Sequence, residues 1–198
     1  MNDQPSIEAF AEAVAAGSPA PGGGAVAAVV AALAAALAGM LARLGSARAD
    51  QAGQLELGQL AERADALRGR LLALSERDEA AYRAVVKARR AGGAELAQAW
   101  QEAVRVPAAV VSGCRDATLL VRRAVDLAPP AAVGDAVMAA LLAAAAAAGS
   151  AVNVRANAEA AGRPESLRPL WDQAERELRE IQPLVTEIRE KGDGGRER

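Results

Sequence analysis

The feature that most limits how this chain can fold is an apolar segment, residues 25–42, that contains no charged or polar side chain. Alanine, the strongest helix former, supplies most of it. Hydrophobic residues make up 52% of the whole chain and aromatic residues only 2%. Strands favour β-branched and aromatic residues, so this composition predicts an all-α protein, a multi-helix bundle with a long central helix pair. We expect one domain over residues 1–198, because neither a linker nor an internal repeat divides the chain.

The same segment is long enough to cross a membrane, which gives it two possible settings. Alanine is only weakly apolar, however, and Pro-Gly-Gly-Gly on one side and Arg43 on the other flank the run. We therefore expect no membrane, and interpret the segment as a buried helix from about Gly24 to Ala47. A loop or break over Ser46 to Gly53 comes after it.

The turn before this helix, Ser18-Pro-Ala-Pro-Gly-Gly-Gly-Ala25, combines two helix-stopping prolines with three glycines. Glycines that open onto a helix N-terminus leave backbone N–H groups without helical partners, and these groups can face an anion. Pro21, Gly22, Gly23 and Gly24 are therefore candidate ligand-binding residues.

A long helix from roughly Gln54 to Arg90 carries the most informative pattern. Two heptad series alternate by four and three residues, as in a helix packed along its length in a bundle. The series are Leu60, Leu67, Leu74 and Ala81, and Ala64, Leu71, Asp78 and Val85. A lone carboxylate on a buried seam is costly unless it is paired, hydrogen-bonded or protonated. Asp78 is therefore the most unusual side chain of the seam and a candidate site residue.

The remaining sequence predicts four more helices and several breaks. The expected helices run from Ser6 to about Ala16, Glu95 to Leu127, Ala136 to about Ala160, and onward from a Ser166 cap. Ile7, Phe10 and Val14 share one face of the first. Pro107 predicts a kink or restart and Pro183 a kink. Cys114 lies in a helix seam and is interpreted as a small hydrophobic residue, and the charged, glycine-rich tail 191–198 is expected to be frayed or disordered.

Three polar residues near the end of the chain each have two interpretations. Asp135 precedes an alanine-rich segment and serves either as its N-cap or as a site residue. Asn153 and Asn157 lie one turn apart on one helix face, and the preceding residues of that stripe point them inward. Buried amides need partners, which are either protein groups or a polar ligand ring.

Charge and composition exclude several functions. The formal net charge is -2, and the few aromatic residues leave no base-stacking platform, so we expect no nucleic-acid partner. The chain has no histidine, which excludes His-dependent triads and His-based zinc sites, and we expect no metal. Acid–base chemistry must then use carboxylates, Lys, Tyr or water. The single cysteine suits a reducing cytoplasm, where we expect the protein to reside.

Four segments, in the same order and at similar spacing, resemble the cyclodeaminase domain of formiminotransferase-cyclodeaminase, a family that includes stand-alone methenyltetrahydrofolate cyclohydrolases. They are Ser18-Pro-Ala-Pro-Gly-Gly-Gly-Ala-Val26, Asp78-Glu-Ala-Ala-Tyr82, Val106-Pro107, and Gly134-Asp135 with Asn153-Val-Arg-Ala-Asn157. The resemblance covers about residues 6 to 190. Ala25 and Gly134 stand where the family has serine, and the family's basic clusters are reduced to Arg48 and to Arg89-Arg90.

The resemblance implies a helical bundle that forms a homodimer and binds a tetrahydrofolate derivative. It implies an enzyme of one-carbon metabolism, a formiminotetrahydrofolate cyclodeaminase or a methenyltetrahydrofolate cyclohydrolase, with no metal or redox cofactor. Asp78 matches the position of the family's proposed acid–base residue. Asn153, Asn157 and Asp135 are then expected to hold the pterin edge, and the glycine amides to meet polar groups of the substrate. The alternative is a non-catalytic helical oligomer that keeps the same fold.

Overall fold

In the computed structural model the described residues, 6–90 and 92–194, form six α-helices and two 3-10 turns, with no strand among them. The helices are α1 (Ile7–Ala15), α2 (Gly23–Ser46), α3 (Gln51–Ala88), α4 (Gly93–Val125), α5 (Val133–Ala160) and α6 (Arg168–Gly194). The turns Pro130–Ala132 and Glu165–Leu167 lead into α5 and α6. The all-α prediction is confirmed.

Helix α4 is the centre of the bundle, because it packs against α2, α3, α5 and α6. Helix α2 lies between α3 and α5 and also contacts α4. Polar side-chain pairs between neighbouring helices show whether the helices run parallel or antiparallel. Arg77 pairs with Glu102 and Glu56 with Arg123, so α3 and α4 run antiparallel. Between α4 and α6, the partners Ser112–Glu177, Arg115–Glu180, Arg122–Glu187 and Asp126–Lys191 all stand 65 residues apart, which fixes a parallel register.

The predicted seams of α3 and α4 form the core. Leu60, Ala64, Leu67 and the later members of both α3 series are buried, and Asp78 alone among them is only half-buried. In α4, Val104, Pro107, Val111 and the buried Cys114 occupy the equivalent positions. Burial raises the pKa of the Cys114 thiol to about 12. The interpretation of Cys114 as a small hydrophobic residue is therefore confirmed.

Helix α2 directs its small residues inward and most of its large ones outward. Its buried positions are alanines and glycines, with Leu41 as the one larger side chain among them. We define its outer seam as six residues spaced alternately by four and three, none of which is fully buried. These are Val26, Val30, Leu33, Leu37, Met40 and Leu44. Small inward residues let the neighbouring helices approach α2 closely, and most of its larger apolar side chains lie on its outer face, half-buried or exposed.

By length and composition, Gly23–Ser46 and Pro130–Ala160 are both apolar enough to cross a membrane. In the first, 61% of the most apolar window is buried inside the bundle, as expected for the core helix that the sequence predicted. In the second the buried share is 39%, and Met138, Leu141 and Val152 of this segment are exposed.

The predicted start of α3 was wrong by three residues, and the reason is local capping. The Asp50 side chain accepts a hydrogen bond from the Gly53 N–H at 2.9 Å, so α3 begins at Gln51 instead of Gln54. Ser6 caps α1 as predicted. Ser166, however, lies inside the second 3-10 turn, so the prediction that it caps α6 was wrong.

Neither internal proline restarts a helix. Helix α4 continues through Pro107 and α6 through Pro183. Proline removes one backbone donor, but Pro107 is buried in the core, where packing offsets that loss. Residues 191–194 of the predicted tail continue α6, and 195–198 lie outside the described residues.

The apolar face predicted for helix α1 is not buried against the rest of the chain. No residue of α1 is buried, Ile7 is 85% exposed, and Phe10 and Val14 are only half-buried. The helix therefore contributes little to the core, and its main structural consequence is to deliver the chain to the turn that starts α2.

We predict that Gly45→Ala destabilises the fold, since an added Cβ would lie 2.7 Å from the Leu127 carbonyl oxygen, a backbone atom that cannot easily move. Overpacking of this kind costs about 1–3 kcal/mol. Gly58→Ala is the matched control: its Cβ would meet nothing within 4 Å, and helix propensity should raise stability by about 1 kcal/mol. Denaturant unfolding measures both, and equal effects of the two substitutions would contradict the close approach of α2 to the α4–α5 connection.

Candidate functional site

The turn before α2 presents unpartnered backbone amides at a helix N-terminus. The Ser18 hydroxyl donates to the Ala20 carbonyl at 2.7 Å, and the Ala20–Pro21 peptide is cis. Gly22 is the N-cap residue of α2 and supplies no side-chain cap. The Val26 N–H bonds to the Gly22 carbonyl at 3.0 Å, so the three amides before it lack a partner within the helix.

The Asp78 carboxyl from α3 meets this helix end. A Cβ built on Gly24 would lie 2.5 Å from Cγ of Asp78, a separation that no real side chain tolerates. Only glycine therefore lets α2 begin directly against the carboxyl. The backbone N–H of Ala25, a buried residue, is directed at the same carboxyl. Asp78 thus supplies to α2 the acceptor that Gly22 lacks, and the sequence-predicted turn and carboxylate belong to one site.

Three effects set the pKa of Asp78, and the net effect raises it above the usual value of 3.8. Burial is the largest, because it disfavours the ionised form. The Ala25 N–H acts in the opposite direction by stabilising the carboxylate, and the negative charge of neighbouring Glu79 raises the pKa further. The carboxyl consequently keeps its proton to a higher pH than an exposed aspartate does.

The two asparagines on α5 face the protein interior, as predicted. Asn157 is half-buried and its side-chain amide donates to the Ala103 carbonyl of α4 at 2.7 Å. Asn153, one turn earlier, is also half-buried. A protein hydrogen bond therefore satisfies the side-chain NH₂ group of Asn157, and its side-chain carbonyl oxygen remains available as an acceptor.

Contacts between neighbouring helices place Asp78 and Asn157 at the same end of the bundle. Arg77, which precedes Asp78, pairs with Glu102 of α4 at 2.5 Å. The next residue of α4, Ala103, is the partner of Asn157. The N-terminus of α2, the Asp78 carboxyl and the Asn157 amide therefore lie at one level.

Ser150 is a polar residue that sequence reasoning missed. It is fully buried on α5, and its hydroxyl oxygen has no hydrogen-bond partner among the described residues. Its position three residues before Asn153 and seven before Asn157 puts it on their face of the helix, and that spacing was the available signal.

Asp135 does not lie at the end of the bundle that contains Asp78 and Asn157. The N-cap of α5 is Ala132, which closes the 3-10 turn, so the interpretation of Asp135 as the N-cap was wrong. Asp135 is exposed in the first turn of α5, about 33 Å along the helix from Asn157. Gly45 packs against Leu127 just before α5 starts, so Asp135 lies at the C-terminal end of α2.

No group of three or more His, Cys, Asp and Glu side chains that could hold a metal ion occurs within residues 6–90 and 92–194. The groups that converge at the site are one carboxyl, backbone amides and side-chain amides. Such an arrangement can transfer a proton at Asp78 and hydrogen-bond a polar ring nearby.

Comparison with known proteins identifies a related family and a similar fold. A family model described as formiminotransferase-cyclodeaminase matches residues 6–176. The crystal structure of formiminotetrahydrofolate cyclodeaminase from Thermotoga maritima is similar with a TM-score of 0.89 and 28% sequence identity, over 96% of this chain and 97% of that one. No curated protein sequence matches the chain.

We predict that Gly24→Ala displaces the Asp78 carboxyl, because the new methyl group occupies its space. The unfolding free energy should fall by about 1–3 kcal/mol, and the pKa of Asp78 should move down toward its usual value as the carboxyl gains solvent. Gly23→Ala, whose Cβ would meet nothing within 4 Å, should change neither quantity appreciably. Denaturant unfolding and an NMR titration of the carboxyl measure the two effects. An unchanged Asp78 pKa in Gly24→Ala would show that the contact does not set it.

Proposed function

Because the chain belongs to the formiminotransferase-cyclodeaminase family, we propose that it is an enzyme acting on the one-carbon bridge between N5 and N10 of a tetrahydrofolate derivative. The reaction is either cyclodeamination of 5-formiminotetrahydrofolate or hydrolysis of 5,10-methenyltetrahydrofolate. The observation that carries the proposal is the half-buried Asp78 carboxyl, with its raised pKa, at the N-terminus of α2.

In cyclodeamination, we propose that Asp78 acts both in the formation and in the breakdown of a tetrahedral intermediate. N10 adds to the carbon of the protonated formimino group, and its proton passes to the Asp78 carboxylate. The carboxyl then donates that proton to the departing nitrogen as the carbon–nitrogen bond breaks. Ammonia and the methenyl cation are the products. A carboxyl with a raised pKa suits this role, because an acid catalyst must still hold its proton near the working pH.

In hydrolysis, the same carboxylate acts first as a base. It takes a proton from the water that attacks the methenyl carbon, and then returns that proton to N5 as the C–N5 bond breaks. The hydroxyl of the intermediate loses its own proton to solvent as the formyl C=O of 10-formyltetrahydrofolate forms. The cationic substrate lowers the pKa of a nearby carboxyl, which favours the ionised form that this step needs. Both reactions move only protons and one nucleophile, so we propose that neither a metal nor a redox cofactor takes part.

We propose that the pterin ring lies between the α2 N-terminus and α5. The carbonyl oxygen of Asn157, together with Asn153, would accept from or donate to the ring edge, and the Gly22–Gly24 amides with Pro21 would form the opposing wall. Ala25, buried beside Asp78, contributes only its backbone at a position where the family carries a hydroxyl.

We further propose that the protein is a homodimer joined through the outer seam of α2. The four-three spacing of the outer seam, in which Leu33 and Leu44 are exposed and the other residues half-buried, is the pattern of helices that pack along their length against a partner. Exposed Met138 and Leu141 on neighbouring α5 extend the surface. In an antiparallel, isologous arrangement the partner's α5 start would approach this chain's Asp78 end, which would allow Asp135 to join the site of the other subunit.

One observation favours the alternative of a non-catalytic helical oligomer. Asp78 meets the first turn of α2, so its presence on the seam has a structural explanation that needs no chemistry. The two functions predict different effects when the charge of Asp78 alone is removed.

We predict that Asp78→Asn lowers turnover by on the order of 10²–10⁴-fold, the usual contribution of a general acid or base. Turnover is followed as loss of methenyl absorbance with 5,10-methenyltetrahydrofolate and as ammonia release with 5-formiminotetrahydrofolate. Glu76→Gln on the same helix is the control and should keep full activity. A wild-type protein inactive on both substrates would support the non-catalytic alternative, and a fully active Asp78→Asn would exclude Asp78 as the catalyst.

The stability of the same variant separates lost chemistry from lost folding. Because the folded-state pKa of Asp78 is raised, ionisation of Asp78 opposes folding: the penalty is absent below pH 3.8 and develops as the pH rises through the raised pKa. Asp78→Asn should therefore be at least as stable as the wild type at pH 7, with the difference disappearing in acid. Thermal unfolding across pH measures it.

We predict that Leu33→Lys at the middle of the outer seam converts a dimer to a monomer, since Leu33 is 49% exposed in the single chain and a buried lysine at the interface would lack a partner. Leu119→Lys, at a 39% exposed position on α4, is the control and should leave the dimer intact. Light scattering coupled to size exclusion gives the mass of each. A monomeric wild type would rule out the seam as an interface.

A further inference from the structure

Pro107, to which the proposed chemistry gives no part, changes the hydrogen bonding of one carbonyl in α4. In an α-helix the carbonyl of one residue accepts from the N–H four residues later, and proline has no N–H. The Ala103 carbonyl, four residues before Pro107, therefore lacks its regular helical donor. Ala103 is buried, so the donor that its carbonyl needs has to come from the protein.

The missing donor comes from another helix. The Asn157 side-chain amide on α5 donates to the Ala103 carbonyl at 2.7 Å. Within residues 6–90 and 92–194 it is the one hydrogen bond from a side chain to the backbone that joins two helices, since the others link groups at most five residues apart. Pro107 and Asn157 thus act as a pair, in which the proline frees an acceptor and the asparagine supplies its donor.

This pairing allows only one orientation of the Asn157 amide. A backbone carbonyl only accepts hydrogen bonds, so the side-chain NH₂ group must face α4 and the side-chain oxygen lies on the other edge. An asparagine without such a partner can present either edge to a ligand. Asn157 is only half-buried, so part of its side chain remains accessible.

Pro183 in α6 shows that a proline inside a helix does not need such a partner. It deprives the Arg179 carbonyl of its helical donor in the same way. Both residues are exposed, however, so solvent can hydrogen-bond that carbonyl. The side-chain partner is found at the buried proline, which lies at the level of Asp78.

We propose that Pro107 is a positioning residue of the ligand site. By freeing the Ala103 carbonyl it fixes the Asn157 amide with its oxygen toward the ligand, and the site therefore selects a ring edge that donates hydrogen bonds. In a tetrahydrofolate derivative that edge carries the N3–H and the 2-amino group of the pterin. This role rests on the proposed function, which supplies the identity of the ligand.

The test variants restore an N–H at position 107. Pro107→Ala and Pro107→Val do so with a side chain slightly smaller and slightly larger than proline, which exposes a packing defect that only one of them has. Asn157→Ala removes the amide, and the double variant Pro107→Ala/Asn157→Ala completes a double-mutant cycle. Pro183→Ala is the matched control, since it also restores an N–H inside a helix, at an exposed position.

The first measurement is the NMR spectrum of the Asn157 side-chain amide without ligand. Asn157→Ala identifies its signals by their disappearance. In the wild type we expect one of the two amide protons to be shifted downfield and protected from exchange, because it is hydrogen-bonded to the Ala103 carbonyl. In both Pro107 variants the N–H at position 107 takes this acceptor, so the shift and the protection should be lost. Pro183→Ala should keep them.

The second measurement is the affinity for 5-formyltetrahydrofolate by isothermal titration. Pro107→Ala should weaken binding by roughly five- to tenfold, since the ligand must now order an amide that was held in place. Asn157→Ala should weaken it at least as much. Pro107→Ala added to Asn157→Ala should have no further effect, because the proline acts on the ligand only through the amide. A proline that only packs would give the same loss in both backgrounds.

Four results would overturn the proposal. They are an Asn157 amide spectrum unchanged by the Pro107 substitutions, an affinity that these substitutions leave unchanged or lower equally with and without Asn157, a wild type that does not bind 5-formyltetrahydrofolate, and loss of the fold in both Pro107 variants, which would show that the proline serves packing. Failure of the proposed reaction is seen separately, as absent turnover by a wild type that still binds with the expected pattern.

Discussion

The contact between the Asp78 carboxyl and the first turn of α2 joins α2 and α3 at one end of the bundle. The partial positive charge of a helix N-terminus stabilises an anion, while burial disfavours it, and here burial is the larger effect on the pKa. The absent side chain of Gly24 is what allows the contact, since any Cβ there would enter the carboxyl. The arrangement of α2, α3 and the preceding turn is thus organised around one ionisable group whose proton is held to a higher pH than usual.

The α3 seam and the unusual position of Asp78 were predictable, because side chains that share one face of a helix recur at a regular spacing in the sequence. The α3 seam followed from spacing alone, and Asp78 stood out because leucine, alanine or valine occupies its equivalent positions. The glycine turn was recognisable as a helix start with free amides. That the turn and the carboxyl would meet did not follow from the residues themselves, because a sequence pattern gives the face of a helix and not the register between two helices.

The errors have a different origin. The 3-10 turn at Pro130–Ala132 starts α5 earlier than the sequence suggested, which moves Asp135 from the cap into the first turn. Ser150 was not predicted, because a serine in an alanine-rich helix gives no sequence signal of its own. Its distinguishing property, a buried hydroxyl without a hydrogen-bond partner among the described residues, is seen only in the structure. Each depends on tertiary context that local preference does not contain.

The inverted distribution of bulk on α2 also shapes how the protein can vary. Alanines and glycines line its inner face, so those positions have almost no volume left to lose, and nearly every alternative residue is larger. On the outer seam the constraint is on polarity: side chains of different size can be accommodated, but a polar side chain would change what this surface can contact. A lineage descending from this sequence would therefore retain small residues at the centre and apolar ones at the periphery, the reverse of the pattern by which protein cores are usually recognised in alignments.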